Sequence, residues 1–303
     1  MPLVSVITAA YNAESFIAET INSVVEQTFT DWEYIVVDDG SADDTARIIK
    51  MFSQVKYVYQ SNQGVAVARN TGLAHSSGKY IAIIDADDIW VREKLAMQIE
   101  VMRNHPGVGF CYTNACTINE QGAVIQARRI PVHSPMSYVD ALTRAHSIVT
   151  SSVLFDRVWL GENPYPSDLP PCEDFFVNLM VMFQAGPGVF VDKPLVHYRE
   201  RANSLSKHNL YYWALQNEKC VQRFLETAEK IRPISRDLRR RAIGHAQIQK
   251  AQMNIKTGGD VRTSFVCLGK ALVMNPSDCW LVVRQFVKLF LSLNGRIPLP
   301  KIF

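Results

Sequence analysis

Apolar and polar residues follow two rhythms along the first hundred or so positions of the chain. Residues 4–8, 33–37, 56–60 and 80–84 are short runs rich in β-branched side chains, the pattern of strands. Between them, residues 14–27, 44–52 and 65–75 return apolar positions at helical spacing, as Ile17, Ile21, Val24 and Val25 do on the first. This alternation predicts parallel strands joined by crossover helices, a doubly wound, mostly parallel α/β sheet with flanking helices. Ligands of such sheets gather beyond the carboxyl ends of the strands, so the residues that follow each run come first in a search for chemistry.

Past residue 105 the rhythm loosens. Residues 108–113 read as a strand, Glu120-Gln121-Gly122 as a hairpin turn, and 163–171 as a Pro-rich loop. Residues 173–184 read as a helix and 188–191 and 195–198 as two short strands. From residue 210 the pattern is helical throughout, over 211–231, 235–256, 261–273 and 277–293, broken at Pro233, Gly258-Gly259 and Asn275-Pro276. The chain is thus read as an α/β domain over 1–207, with halves 1–105 and 106–207, followed by an all-helical region over 208–303.

Charge sharpens that division. Residues 1–207 carry 16 Lys and Arg against 23 Asp and Glu, whereas 208–303 carry 16 against 6. An acidic front suits cations and their ligands, and a basic tail suits phosphates or an anionic membrane surface. A hydrophobic fraction of 48% with 20% charged residues excludes collagen-like and disordered chains. The longest apolar runs fall far short of the roughly 20 residues needed to span a bilayer. Met1 leads straight into a strand with no basic leader, which argues for cytoplasmic residence. Six scattered cysteines without CxxC spacing read as buried thiols rather than a zinc or disulfide framework. The last helix, with Leu281, Val282, Val283, Phe286 and Val287 interrupted by Arg284, Gln285 and Lys288, fits either the closing helix of a bundle or an interfacial anchor.

Three acidic clusters carry the candidate chemistry. Asp38-Asp39-Gly40-Ser41 follows the second strand, where the carboxylates offer acceptors to a base or ribose, or form a turn in which Ser41 caps the next helix. Asp85-Ala86-Asp87-Asp88 follows the 80–84 run. Its crowded carboxylates suit a shared Mg²⁺ or Mn²⁺ that also binds substrate phosphates, or else a solvated turn before a helix. Glu173-Asp174 opens a helix after the Pro-rich loop, where the helix dipole favours an ionised general base.

Together these residues resemble inverting glycosyltransferase family 2, the nucleotide-sugar-dependent enzymes of GT-A fold. The resemblance runs through Val4-Ser5-Val6-Ile7 to Tyr11-Asn12, Gln27-Thr28-Phe29, Trp32-Glu33, Asp38-Asp39-Gly40-Ser41, Gly64 through Ala68-Arg69-Asn70 to Gly72-Leu73, and Asp85 to Trp90, in family order. It is strong over 3–105 and looser to 207, through Glu173-Asp174 and Tyr198-Arg199. It implies a nucleotide-sugar half at 1–105 and an acceptor half at 106–207. Tyr11 would lie against the nucleobase, Asp39 would accept from the base, and Arg69 would help hold the nucleotide, with Thr8, Ala9 and Ala86 along the same donor site. Asp85 would approach the ribose or the metal, Asp87 would bind the Mg²⁺ or Mn²⁺ ion, and Asp174 would be the catalytic base with Glu173 as its neighbour. Arg199, Arg201 and Ser204 resemble a loop that closes over the diphosphate. The implied reaction moves a sugar, with inversion, from a nucleotide sugar, UDP-linked by expectation, to a carbohydrate or lipid-linked acceptor hydroxyl in envelope polysaccharide assembly. The enzyme would be cytoplasmic or peripheral at the membrane.

Two rival readings are weaker. A sugar nucleotidyltransferase needs a Gly-rich basic loop after the first strand, where this chain has Thr8-Ala9-Ala10-Tyr11-Asn12-Ala13. A non-catalytic binding module has no need of intact acids at all three clusters.

Overall fold

The computed structural model describes residues 1–128, 136–143, 148–201, 210–276 and 279–293. The chain divides into two compact units, one of Met1–Tyr138 with His146–Ala202, the other of Val139–Ala145 with Asn203–Phe303. The short segment Val139–Ala145 therefore groups with the helical unit, which the charge boundary near residue 207 gave no sign of.

The first unit is built on a nine-stranded mixed sheet of β1 (Val4–Ala10), β2 (Trp32–Asp39), β3 (Val55–Gln60), β4 (Tyr80–Ile83), β5 (Ile89–Trp90), β6 (Phe110–Ile118), β7 (Val124–Arg128), β8 (Val153–Asp156) and β9 (Val189–Arg199). Their order is β3-β2-β1-β4-β8-β6-β9-β5, with β7 beside β6. The β3-β2-β1-β4 part is parallel, and the β4–β8, β8–β6 and β9–β5 pairs are antiparallel. β1 and β2 are buried on both faces, as a parallel strand covered by helices must be. One face packs Val4, Val6, Tyr34 and Val36 against Ile17, Ile21 and Val24 of α1 (Ile17–Val25). On the other, Ile35 and Val37 meet Ala68 of α3 (Val65–Ala74). Small residues let α3 lie close to the sheet, since a Cβ on Gly72 would sit 2.4 Å from Ile7 Cγ2.

Because β1 lies between β2 and β4, the loop after β1 sits between the acidic ends of its neighbours. The strand order reverses at this point, which opens a crevice there. α2 (Thr45–Ile49), α4 (Lys94–Asn104) and α6 (Glu173–Ala185) complete the unit. Two expectations need correction. The strands read at 188–191 and 195–198 are one strand, β9, which continues past Pro194 because β6 shifts register at Asn114 to accommodate it. The helix read at 44–52 starts at Thr45 as expected but ends at Ile49, and Ser41, read as its cap, lies three residues before the capping position at Asp44.

In the second unit, α5 (Tyr138–Thr143, entering from Val139), α7 (Leu210–Glu229), α8 (Arg236–Lys256), α9 (Val261–Met274) and α10 (Cys279–Leu293) are all helical. Ser235 caps α8 and Asp260 caps α9 through side-chain oxygens. Ile248, Ala251, Cys267, Leu268, Ala271 and Val282 form one core cluster, and Phe224, Leu225 and Ala242 are also buried. Cys111, Cys172, Cys220 and Cys267 are buried thiols and Cys116 is partly buried. No helix among the described residues is long and apolar enough to cross a membrane.

The close approach at Gly72 is testable. Gly72→Ala should destabilise the chain by about 1–3 kcal/mol, because Ile7 is fixed by a β-strand and has little room to yield. An unchanged urea midpoint would show that the contact is not tight.

Candidate active site

The crevice begins where the loop after β1 meets the loop after β2. Asn12 adopts φ 46°, in the left-handed region that Asn tolerates, and its side-chain oxygen accepts from Ala42 N–H at 2.9 Å. Ser41 Oγ accepts from Asn12 N–H at 3.0 Å, so Ser41 ties the two loops together and caps no helix. Ala13 and Glu14 N–H donate to Thr45 Oγ1 and Asp43 Oδ2. Between these tied loops Tyr11 stands at the surface, 53% exposed. Thr8 is fully buried, its hydroxyl donating to Ile84 O and bonded to Tyr34, so its side chain is closed to a ligand, whereas Ala9 is partly exposed.

The two carboxylates at the end of β2 have different tasks. Asp38 accepts from Ser41 N–H and from the Tyr57 hydroxyl. Asp39, only 3% exposed, accepts through Oδ1 from Gln60 Nε2 and Gln63 N–H and through Oδ2 from Gly64 N–H. Asp39 therefore holds the residue from which α3 springs. Each carboxylate oxygen has two acceptor positions, so Oδ2 keeps capacity for one further donor.

Just over one turn into α3, Arg69 projects a buried guanidinium between two carboxylates. Its Nη1 donates to Glu173 Oε1 and its Nη2 to Asp85 Oδ1, both at 2.8 Å, and the Tyr165 ring lies 5.6 Å from it. A residue expected to hold the nucleotide thus joins the second acidic cluster to the third. Burial pushes the Glu173 carboxyl up to about 7 despite Arg69, and the neighbouring Asp174 and Asp85 add to the rise. Its Oε2 is buried and meets no hydrogen-bond partner among the described residues.

The three acids after β4 separate as sharply. Asp88 is fully buried, accepting from Ser151 Oγ and from Arg199 N–H, and its pKa lies well above the usual range through burial and the charges of Asp87 and Asp85. It is structural. Asp85 and Asp87 remain partly exposed, with Ala86 between them. Asp87 pairs with Arg201 Nε at 2.6 Å, and burial together with the Asp85 charge raises its pKa.

Arg199 differs from expectation. Its guanidinium donates to Asp87 O, Asn119 O, Glu120 O and Glu19 Oε2, and it stacks over Phe16. Four of its five N–H donors meet protein oxygens and its side chain is 1% exposed, so it braces the acidic loop from behind rather than facing a diphosphate. Arg201, at 36% side-chain exposure, is the cation of this pair open to solvent. Ser204 lies outside the described residues.

A short turn missed in the sequence ties the start of α6 to this loop. In the 3₁₀ turn Thr150–Ser152, Thr150 Oγ1 donates to Asp174 Oδ2 at 2.6 Å, while Ser151 Oγ accepts from Asp85 N–H and donates to Asp88. Asp174, partly exposed at the first turn of α6, faces a small cavity lined with Thr150, Val153, Phe155, Tyr165 and Asn178. The Thr-Ser-Ser run was the only sequence signal, and it does not say which acids it meets.

Asp85 and Asp87 are a hard-oxygen pair whose mutual repulsion a divalent cation relieves, so the donor set fits Mg²⁺ or Mn²⁺. Among the described residues no three or more His, Cys, Asp and Glu side chains are grouped as metal ligands, so further ligands for an ion here would come from water or from a bound phosphate.

Comparison with known proteins accords with this arrangement. The glycosyl transferase family 2 model matches residues 5–156. The chain is 33% identical over 214 residues, covering 68% of itself and 82% of the relative, to the putative teichuronic acid biosynthesis glycosyltransferase TuaG of Bacillus subtilis (strain 168). It is 36% identical over 183 residues, 59% of itself and 70% of the relative, to WfgD of Escherichia coli, a UDP-Glc:alpha-D-GlcNAc-diphosphoundecaprenol beta-1,3-glucosyltransferase. Among solved structures, TarS 1-349 of S. aureus superposes with TM-score 0.66 at 16% identity, covering 90% of this chain and 81% of that one. The mannosyltransferase PcManGT of Pyrobaculum calidifontis, in complex with GDP-Man and Mn2+, gives 0.55 at 19% identity, covering 96% and 88%. The fold is GT-A.

The raised carboxyl of Glu173 has a pH consequence. An unfolded glutamate loses its proton near 4.5, whereas the folded one keeps it to about 7, so the folded chain binds more protons between these values. Stability should fall as pH rises through this window, by on the order of 1–3 kcal/mol from this group. Urea unfolding across pH 4.5 to 7 should show a shallower decline for Glu173→Gln than for the parent; parallel curves would remove Glu173 as the source.

Proposed function

The chain belongs to glycosyl transferase family 2 and is a glycosyltransferase, and from that premise we propose that it moves a sugar, with inversion, from a UDP-sugar to a hydroxyl of a lipid-linked saccharide during envelope polysaccharide assembly. The observation that carries this reading is Arg69, whose two terminal nitrogens hold Asp85 of the donor side and Glu173 of the acceptor side at one crevice, with Asp174 the next residue in the chain. UDP as carrier is supported by the TarS structure in complex with UDP-GlcNAc and by the UDP-Glc donor named for WfgD. A diphospholipid-linked acceptor is supported by the acceptor named for WfgD.

On this reading the exposed Tyr11 ring stacks on the nucleobase, and Asp39 accepts from it through the free position on Oδ2 while fixing the start of α3. The acceptor hydroxyl enters the cavity at Asp174. Thr150 aims the carboxylate of Asp174 at the first turn of α6, and this carboxylate takes the hydroxyl proton as that oxygen attacks the anomeric carbon. Glu173, engaged with Arg69, sets the position of its neighbour and accepts no proton in the reaction. Arg201 offers a cation for the departing diphosphate. Asp85 and Asp87 would hold Mg²⁺ or Mn²⁺, which supplies Lewis-acid neutralisation of the diphosphate when bound; Mn2+ in the PcManGT complex supports that assignment.

The defining test is sugar transfer or UDP release from a panel of nucleotide sugars, with and without chelator. Asp174→Asn should lower turnover by roughly 10²- to 10⁴-fold and leave UDP affinity close to that of the parent; undiminished turnover removes Asp174 from the reaction. Asp87→Ala should lose Mn²⁺-dependent UDP binding in calorimetry, and parental affinity there would contradict its assignment as a ligand.

A further inference from the structure

The second unit presents apolar residues on the side opposite to its core. In α9 the inward positions are Ser264, Cys267, Leu268 and Ala271. The outward face holds Arg262, Phe265, Val266, Lys270 and Val273, all exposed, with Val266 at 57% and Val273 at 67%. In α10, Val282 and Gln285 turn inward, whereas Trp280, Val283, Arg284 and Val287 are exposed at the i, i+3, i+4, i+7 spacing of a single helix face. Trp280 is 77% exposed. The Phe265 ring meets that of Phe286, which packs at the edge of the core, at 5.4 Å between centroids, so α9 and α10 touch beside these faces.

We propose that these faces of α9 and α10 form a docking surface for an anionic phospholipid bilayer. Charge selects the occupant. Residues 261–303 contain six basic side chains, Arg262, Lys270, Arg284, Lys288, Arg296 and Lys301, against one acid, Asp278. On the exposed faces the cations alternate with the apolar residues: Arg262-Val266-Lys270-Val273 runs along one helix and Val283-Arg284-Val287 along the other. This is the composition of a helix lying in the headgroup region, with aliphatic residues entering the acyl boundary and cations meeting lipid phosphates. Trp favours that interface, where its ring is dehydrated and its N–H stays hydrated.

A second copy of the chain is a poorer occupant, since a two-fold contact through this surface opposes like charges. Crossing of the bilayer does not enter, because among the described residues no helix is long and apolar enough. The proposal concerns the second unit alone and does not depend on which sugar, donor or acceptor the first unit uses.

The experiment is sedimentation of the full chain with vesicles of phosphatidylcholine alone and of phosphatidylcholine mixed with phosphatidylglycerol. The chain should bind the anionic vesicles, lose binding as salt is raised, and leave neutral vesicles largely unbound. The double variant Arg262→Gln, Arg284→Gln should lower the partition constant on the order of tenfold or more. The triple variant Trp280→Ser, Val283→Ser, Val287→Ser should abolish it while leaving the circular dichroism and melting temperature near those of the parent, because these side chains are exposed. Parental vesicle binding by both variants, or no binding of the parent to anionic vesicles, overturns the proposal. So does a parental dimer in sedimentation equilibrium that the triple variant dissociates, which assigns the face to a second copy.

Discussion

A buried guanidinium between two carboxylates is the constraint on which this site depends. Arg69 is held by Asp85 and Glu173, which are 16 and 104 residues away in sequence, and it is 4% exposed. Both carboxyl groups bond the one guanidinium, which offsets the repulsion and desolvation of acids drawn so close, so the cation is what allows the loop after β4 and the start of α6 to share one crevice. Asp39 completes the arrangement from the other end of α3 by holding Gly64 N–H. One short helix thereby carries a tether to each acidic cluster. Its close contact with β1 at Gly72 gives those tethers a fixed base.

Around this helix, neighbouring acids that look alike are sorted by what surrounds them. Asp88 is enclosed by the Ser151 hydroxyl and the Arg199 amide, and holds the loop in shape. Asp87 and Asp85, one and three positions earlier, keep solvent access. Arg199 and Arg201 divide in the same way, the first facing protein on every nitrogen and the second paired at the edge. Function in this site is separated from support by one or two residues of backbone. Hydrogen-bond partners drawn from distant segments make the distinction.

The helical unit shows the same rule applied to apolar residues. Apolar residues of α1 at helical spacing lie in the core, because a sheet face is there to receive them. α10 carries apolar residues on both sides, and among its described side chains Val282 with its flanking Leu281 and Phe286 packs in the hydrophobic core. Hydrophobic periodicity states that a face is apolar; whether it is covered depends on the neighbours that the fold supplies.

Much of this molecule was legible from local pattern. The strands after residues 4, 33, 56 and 80 and the helices between them lie within about three residues of their expected ends, since β-branched runs and helical spacing express preferences of adjacent residues. The helices beyond residue 210 were equally plain, capped as they are by Ser235 and Asp260. The three acidic clusters were also visible, because carboxylates at strand ends are uncommon without a task. What tertiary structure decided was every pairing across distance. The short strands β5 and β8 exist because β9, β4 and β6 lie beside them. Thr150 and Ser151 gained their place in the site only when folding brought them to acids 24 and 63 residues away. Local preference is set by a residue and its few neighbours along the chain, whereas a hydrogen bond is set by where the whole chain places its donor and acceptor.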